Sequence, residues 1–450
     1  MALGLSLLLA CRSREPDGIA LLGATLIDGT GGPPLTESAV VVRRGHIESV
    51  GSRDGFQLPE RTREVDVSGR WIMPGLVDGH VHLVEPQAGV ARWTMARYLA
   101  WGVTTVRDVH GPLRRALALR RELNRGWRPG PRVYSAGAMI DGVPPTYPDA
   151  ITATNPKEAR RGVDRLVNAG ADLIKVYTKV DKTLLAAMLD EARTFNFRIT
   201  GHLGLTDAVT AARLGLGSLE HMSGVPEAAL ADPSALYAAH RRSFFAGWTA
   251  FEQSWAGLDS ASLSRVAGVL SARNVIVVPT LVLHDIFSRL DDPAVLTDTM
   301  LSTVPEEEQR RWNVPDMIVR AGWTPADFAA FRRSRAAQDR FLRIFQAKGG
   351  RIAVGTDAAN QMLIPGYSAH LEMQLLVAAG LTPAEAISAA TRHGAMLLRV
   401  DSLGLIAPGK VADLIVLDRD PLADIRNTLA IESVMSRGHM LSPDSIRARW

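Results

Sequence analysis

Gly-Leu-Val-Asp-Gly-His-Val-His, residues 75–82, is the stretch on which the fold turns. It reads as a β-strand that ends in H-x-H. Side chains alternate along a strand, so His80 and His82 share one face. At the C-terminal end of a barrel strand that face lines the mouth where active sites sit, and two imidazoles there can grip a divalent ion. Taken alone, the motif also fits two polar residues on an exposed strand end.

Seven further segments have the same texture: GVTTVRDV (102–109), PRVYSAG (131–137), ADLIKVY (171–177), FRITGHL (197–203), GSLEHM (217–222), NVIVVPTLVL (274–283) and GRIAVGTD (350–357). Helical stretches separate most of them, and DKTLLAAMLDEARTF (181–195) is plainly amphipathic. Eight strands alternating with helices predict an α/β fold of the (β/α)8 TIM-barrel type over residues 75–401. The long connections 223–273 and 284–349 must hold helices of their own. Trp312, Trp323 and Phe328 in the second read as core of a helical insert, with an apolar lid as the alternative. Short β-like runs occupy residues 18–74 and return over 402–450, so both chain ends are expected to build one composite β-sandwich.

Composition narrows the function. The chain has 450 residues, is 46% hydrophobic and 22% charged, and carries a net charge of +4. No Lys/Arg block stands out, so nucleic-acid binding is not expected. No apolar run approaches the roughly 20 residues that cross a bilayer. The one cysteine, Cys11, excludes a disulfide framework and a cysteine metal site. It ends the run MALGLSLLLAC, which resembles the lipobox of bacterial lipoproteins. Residues 1–17 are then a signal and tether, with lipid on Cys11 attaching the protein to the membrane. The location would be the cell envelope, periplasmic and lipid-anchored. Without a true lipobox it would be cytoplasmic. No G-x-G-x-x-G or Walker pattern follows a strand.

Four more chemically capable residues close later strands: Lys175, His202, His221 and Asp357. Each alone has an ordinary reading; together with His80 and His82 they converge on one mouth. Lys175 stands out because the chain has 45 arginines and only six lysines. An ammonium in the apolar strand DLIKVY is costly, and desolvation lowers its pKa. A neutral amine can add carbon dioxide and become an anionic bidentate ligand, which arginine cannot do. The ordinary alternative is a buried ion pair, with Asp108 as partner.

The motifs GLVDGHVH, LIKVY, TGHL, LEHMS and VGTDA resemble the amidohydrolase superfamily, in particular its imidazolonepropionase-like and Xaa-Pro dipeptidase-like members with a carboxylated lysine. GKVADLIVLD and WGVTTVRDV extend the resemblance over nearly the whole chain. It implies that His80, His82 and Asp357 bind one metal, that His202 and His221 bind a second, and that N6-carboxylated Lys175 and a hydroxide bridge them. His and carboxylate ligation favours zinc for both ions, with manganese and cobalt left open. The implied reaction is amide hydrolysis in a dipeptide, N-acyl amino acid or similar small molecule, with Asp357 as the proton shuttle. Cyclic-amide or lactone hydrolysis and a non-catalytic metal-binding envelope protein are the alternatives. Tyr177, His110 and His284 are the candidate substrate contacts. The stretch SAGAMIDGVPPTYP (135–148) lacks the histidine that some dipeptidase members place there, which departs from their substrate contacts. Oligomeric state is not legible, and a homo-oligomer is compatible with the sequence.

Overall fold

The computed structural model describes residues 17–84 and 92–448. Cys11 lies outside them. All eight expected strands form, each shorter than its apolar run. Leu76–Val81, Val103–Asp108 and Arg132–Ser135 make a three-stranded parallel sheet. Ile174–Val176, Ile199–Gly201, Ser218–Glu220, Ile276–Val278 and Arg351–Ile352 make a second parallel sheet, extended by the short strands Ile140–Asp141 and Ile151–Thr152.

The single closed ladder expected of a barrel is therefore corrected to two parallel sheets. Individual bonds link them. Gly79 N donates to Val354 O (2.8 Å) and His82 N to Ala358 O (2.6 Å); across the other seam Asp172 N donates to Ser135 O (2.9 Å). Within the three-stranded sheet the first strand shifts register against Val103–Asp108, at Leu76/Val77 and Asp78/Val81. Such bulges re-aim side chains and end pairing. Gly355 lies flush against His80, where a Cβ would come 2.8 Å from the His80 Cβ.

The seventh strand stops at Val278. Leu281–Leu283, expected as strand, open the helix Leu281–Ser288 instead. A short apolar run does not distinguish strand from buried helix. Here Thr280 turns the chain at φ 50°, and Leu281 N and Val282 N donate to Glu372 (3.0 and 2.7 Å). A carboxylate from a distant helix thus satisfies two N-terminal donors. Burial pushes the Glu372 pKa up to about 8. The folded chain then holds this proton more tightly than the unfolded chain does. Its contribution should be fully present below the unfolded value near ~4.3 and lost as pH rises towards 8. Glu372→Gln should flatten that decline in denaturant titrations run across this window. An unchanged slope would contradict the assignment.

The two chain ends do combine. Trp71–Pro74 pairs antiparallel with Leu414–Leu417 inside one mixed eight-stranded sheet that also contains Gly18–Leu26, Leu35–Arg43 and Ile431–Ser436. Hydrogen bonding makes this one sheet, in place of two separate layers. Its core gathers Leu21, Val40, Ile72, Leu414 and Met435 from both ends. Both long connections are helical. Trp323 and Phe328 are buried with Phe287 and Phe331 and are core, while Trp312 is half-buried and packs on Leu301 and Val304. The helix Lys182–Thr194 starts at Asp181, whose side chain accepts from Thr183 N and Leu184 N.

Candidate metal centre

The parallel strands bring the six predicted residues to one end. His80 is the penultimate residue of its strand and His82 follows it. Lys175 lies within Ile174–Val176, while His202 and His221 immediately follow Ile199–Gly201 and Ser218–Glu220. Asp357 lies beyond Arg351–Ile352, near His80. His221 and Asp357 have φ of 58° and 62°, a region that His and Asp enter more readily than most residues.

Hydrogen bonds fix which ring nitrogens face one another. His80 Nδ1 bonds the Glu220 carboxylate (2.6 Å), and His82 Nδ1 bonds the His110 carbonyl (3.2 Å). Thr280 Oγ1 donates to Pro279 O (2.8 Å), so only its lone pairs remain for His221 Nδ1 (2.8 Å). Every one of these partners is an acceptor. The proton therefore sits on Nδ1 and the lone pair on Nε2. Asp357 Oδ1 lies 3.3 Å from His80 Nε2 and 2.9 Å from His82 Nε2, yet it has no hydrogen-bond partner. Ligand atoms of His80, His221 and Asp357 all fall within 4.8 Å of one another. The ring centroids of His202 and His221 are 4.5 Å apart, and those of His80 and His221 4.6 Å. Electron pairs crowded this closely repel unless a cation lies among them, so the donor set fits one.

Electrostatics agree with that reading. Burial, then the charge of Lys175, lowers the His202 pKa well below its usual value; burial, then His202 and His80, does the same for His221. Both rings are thus neutral donors at pH 7. Burial alone would raise Asp357; in the empty site protons on His80 and His82 would hold it well below the usual carboxylate range, and a bound cation would take their place. Lys175 is buried, its Nζ has no hydrogen-bond partner, and burial lowers its pKa to about 8. The charges acting on it are Glu220, Arg107 and Asp357. The alternative pairing with Asp108 is absent: that carboxylate accepts from Leu83 N (3.1 Å) and Ser135 Oγ (2.8 Å).

Residues 71–441 match the amidohydrolase family. The chain belongs to that family. It is 33% identical to an adenine deaminase of Rubrobacter xylanophilus over 85 residues, 19% of this chain and 14% of that protein. It is 46% identical to an imidazolonepropionase of Legionella pneumophila (strain Paris) over 69 residues, 14% of this chain and 16% of that protein. These matches cover only a small part of the curated relatives' length. Among solved structures, a Xaa-Pro dipeptidase with bound methionine superposes with a TM-score of 0.68 at 21% identity, covering 94% of this chain and 100% of the other. That likeness concerns the fold, which is of the TIM-barrel type.

In this amidohydrolase two important residues escape the motif reading. Glu220, one residue before His221, is fully buried. Besides His80 it receives a bond from Arg107 Nη2 (2.6 Å) and one from Thr200 Oγ1. Arg107 is itself buried and also donates to Gly79 O (2.5 Å) and Ser218 Oγ (3.3 Å). Burial raises the Glu220 pKa, but Arg107, then His80 and Lys175, lower it further, so the carboxylate stays ionised. The Glu in LEHMS was the available signal: an acid inside an apolar strand needs a cation, and Arg107 has the same anomaly. Glu220→Gln is expected to weaken divalent-metal affinity by about 10–100-fold through His80. It should also cost about 3–5 kcal/mol, because Arg107 is left buried without a countercharge. Chelator competition and denaturant unfolding check the two effects separately; unchanged metal affinity would remove Glu220 from the site.

The three candidate substrate contacts diverge. The Tyr177 ring stands edge-on to His202 at 4.7 Å, beside the cluster. His110 is buried, and both its ring nitrogens are engaged, Nδ1 by Met139 N (3.1 Å) and Nε2 by Asp149 (3.3 Å). It has no free nitrogen for substrate. His284 lies in a helix and not just past a strand. Its Nδ1 bonds Glu252, and its ring stacks on Trp248 at 5.3 Å. Trp248 is in turn 6.4 Å from both His202 and His221. His284 therefore meets the cluster through an indole.

Proposed function

We propose that the chain is a metal-dependent hydrolase that cleaves an amide bond in a small substrate, using two divalent ions. The observation that carries this reading is the gathering of ligand atoms of His80, His221 and Asp357 within 4.8 Å of one another, with His82 Nε2 2.9 Å from Asp357 Oδ1. His80, His82 and Asp357 would hold one ion and His202 and His221 the other, with N6-carboxylated Lys175 shared between them. Carboxylation would exchange a buried cation for an anion, which suits its orphaned Nζ. The ligand types favour zinc. Bound ions would supply a water of lowered pKa and Lewis-acid polarisation of the carbonyl. Asp357 accepts a proton and returns it to the leaving nitrogen. Tyr177, edge-on to His202, borders the site and is the remaining candidate substrate contact.

The barrel-type unit is taken to span residues 75–401, flanked by the single sheet that 18–74 and 402–450 build together. Lipid on Cys11 would place the enzyme at the cell envelope. Globomycin-sensitive membrane association is the expected result, and a globomycin-indifferent soluble product would reject it.

A turnover screen of zinc-loaded protein on dipeptides, N-acyl amino acids and lactones, with metal content measured on the same sample, tests the reaction. Two ions with amide cleavage is the expected result. One ion with only ring opening would favour an imidazolonepropionase-like reaction, and bound metal without turnover would favour a non-catalytic binding protein.

A further inference from the structure

The far end of the parallel strands carries a second concentration of charge. His202 follows Ile199–Gly201 at the metal cluster, and Arg198 precedes it, roughly 13 Å away at the rise of a strand. Arg351 opens Arg351–Ile352, and Arg399 ends the helix Arg392–Leu398. No carboxylate acts on Arg198: after burial, the charges of Arg399 and Arg351 push its pKa down. Arg399 donates to the Asn196 carbonyl (2.6 Å) and to Asn196 Oδ1 (3.1 Å), and Arg351 donates to Asn274 Oδ1 (3.2 Å), so neutral groups hold both. The negative end of a helix dipole accounts for a cation at Arg399. It does not account for Arg198 and Arg351, which stand at strand starts. Like charges have thus been brought together without a countercharge.

A hollow of about 280 Å³ opens between them, lined by Arg198 and Arg399 and by the apolar surfaces of Tyr134, Phe197 and Leu397. Asp172, which also borders it, already accepts from Arg120 Nη1 (2.7 Å) and Ser135 N (2.8 Å). Arg107, which reaches it from the strand interior, is matched by Glu220. The unmatched charge is therefore that of Arg198 and Arg399, and both side chains are exposed to an incoming ligand. A second hollow of about 170 Å³ shares Phe197 and Arg198 and adds Arg193 and Arg273, with no acid in its lining. The field along this face draws anions.

Two guanidinium forks facing one hollow call for a dianion. Phosphate fits them bidentately, whereas one carboxylate supplies a single charge. The ring and leucine surfaces beside the forks call for an apolar body on the same molecule. We infer that this hollow binds a small organic phosphate, with the phosphate between Arg198 and Arg399 and the apolar body against Phe197, Tyr134 and Leu397. The site is separate from the metal centre and does not depend on the hydrolase reading.

Phenylphosphonate is the probe: it carries the dianion and a ring, and has no ester to cleave. Inorganic phosphate lacks the ring, and benzyl alcohol lacks the anion. In calorimetric titrations of the zinc-loaded full chain, phenylphosphonate should bind tighter than either. Arg198→Gln should weaken it by about 10- to 100-fold with zinc content unchanged, and Arg198→Lys, which keeps the charge but not the fork, should restore part of the loss. Hydrogen exchange should slow over 196–199 and 397–400 when the probe binds. Full affinity in Arg198→Gln, or protection confined to the metal cluster, would place the probe on zinc and overturn the inference. Phenylphosphonate binding no tighter than inorganic phosphate would also overturn it. Phosphatidylglycerol vesicles should not compete; competition would assign the forks to a lipid headgroup and reject a soluble ligand.

Discussion

Asp357→Asn is expected to fold normally and to lose amide hydrolysis by at least ~10²–10⁴-fold, the usual range for a positioned acid–base group. Asparagine keeps the shape and can still offer an oxygen to a cation. It cannot take up or return a proton at pH 7. The effect should be largest for poor leaving groups, because an amide nitrogen departs only when protonated. An activated ester, whose leaving group needs no proton, should lose less. Comparing kcat for a matched amide and ester in both proteins isolates this role. Equal losses on the two substrates would mean that Asp357 serves only as a ligand. Unchanged amide turnover would exclude it from both roles.

Lys175→Met should have opposite effects on the empty and the metal-loaded protein. In the empty protein a buried ammonium without a hydrogen bond is replaced by an apolar side chain of similar length. Such exchanges are often neutral or stabilising by about 1–4 kcal/mol. Glu220 loses one cation but keeps Arg107 and His80. In zinc the variant should retain fewer ions per chain than wild type, gain less thermal stability from metal, and fall at least ~10²-fold in turnover. Lys175→Arg should not rescue it, since a guanidinium stays charged and cannot form a carbamate. A metal-loaded Lys175→Met protein with two ions and full activity would reject the bridging role.

Much of this was legible from residue order, for a physical reason. Strand alternation places His80 and His82 on one face, and parallel pairing aligns the ends of neighbouring strands. A reactive residue at each strand end therefore predicts a cluster before any coordinates exist. The rarity of lysine in an arginine-rich chain made Lys175 visible in the same way. What was not legible depended on three-dimensional closure. The acceptors that fix the imidazole tautomers, Glu220, the His110 carbonyl and Thr280, come from elements far apart in sequence. The end of the seventh strand was missed because Leu281–Leu283 is apolar in either conformation, and Glu372, which caps the helix there, is about 90 residues away. The break between the two parallel sheets, bridged only by individual bonds such as Gly79 N to Val354 O, is encoded by no composition rule.

The most direct test is native mass spectrometry of the chelator-stripped protein after equilibration with zinc and bicarbonate. The account predicts a mass gain of two zinc ions and one carbon dioxide per chain, with the carbon dioxide absent from Lys175→Met. A wild-type chain that takes up no zinc, or takes up two ions with no added carbon dioxide, would contradict it.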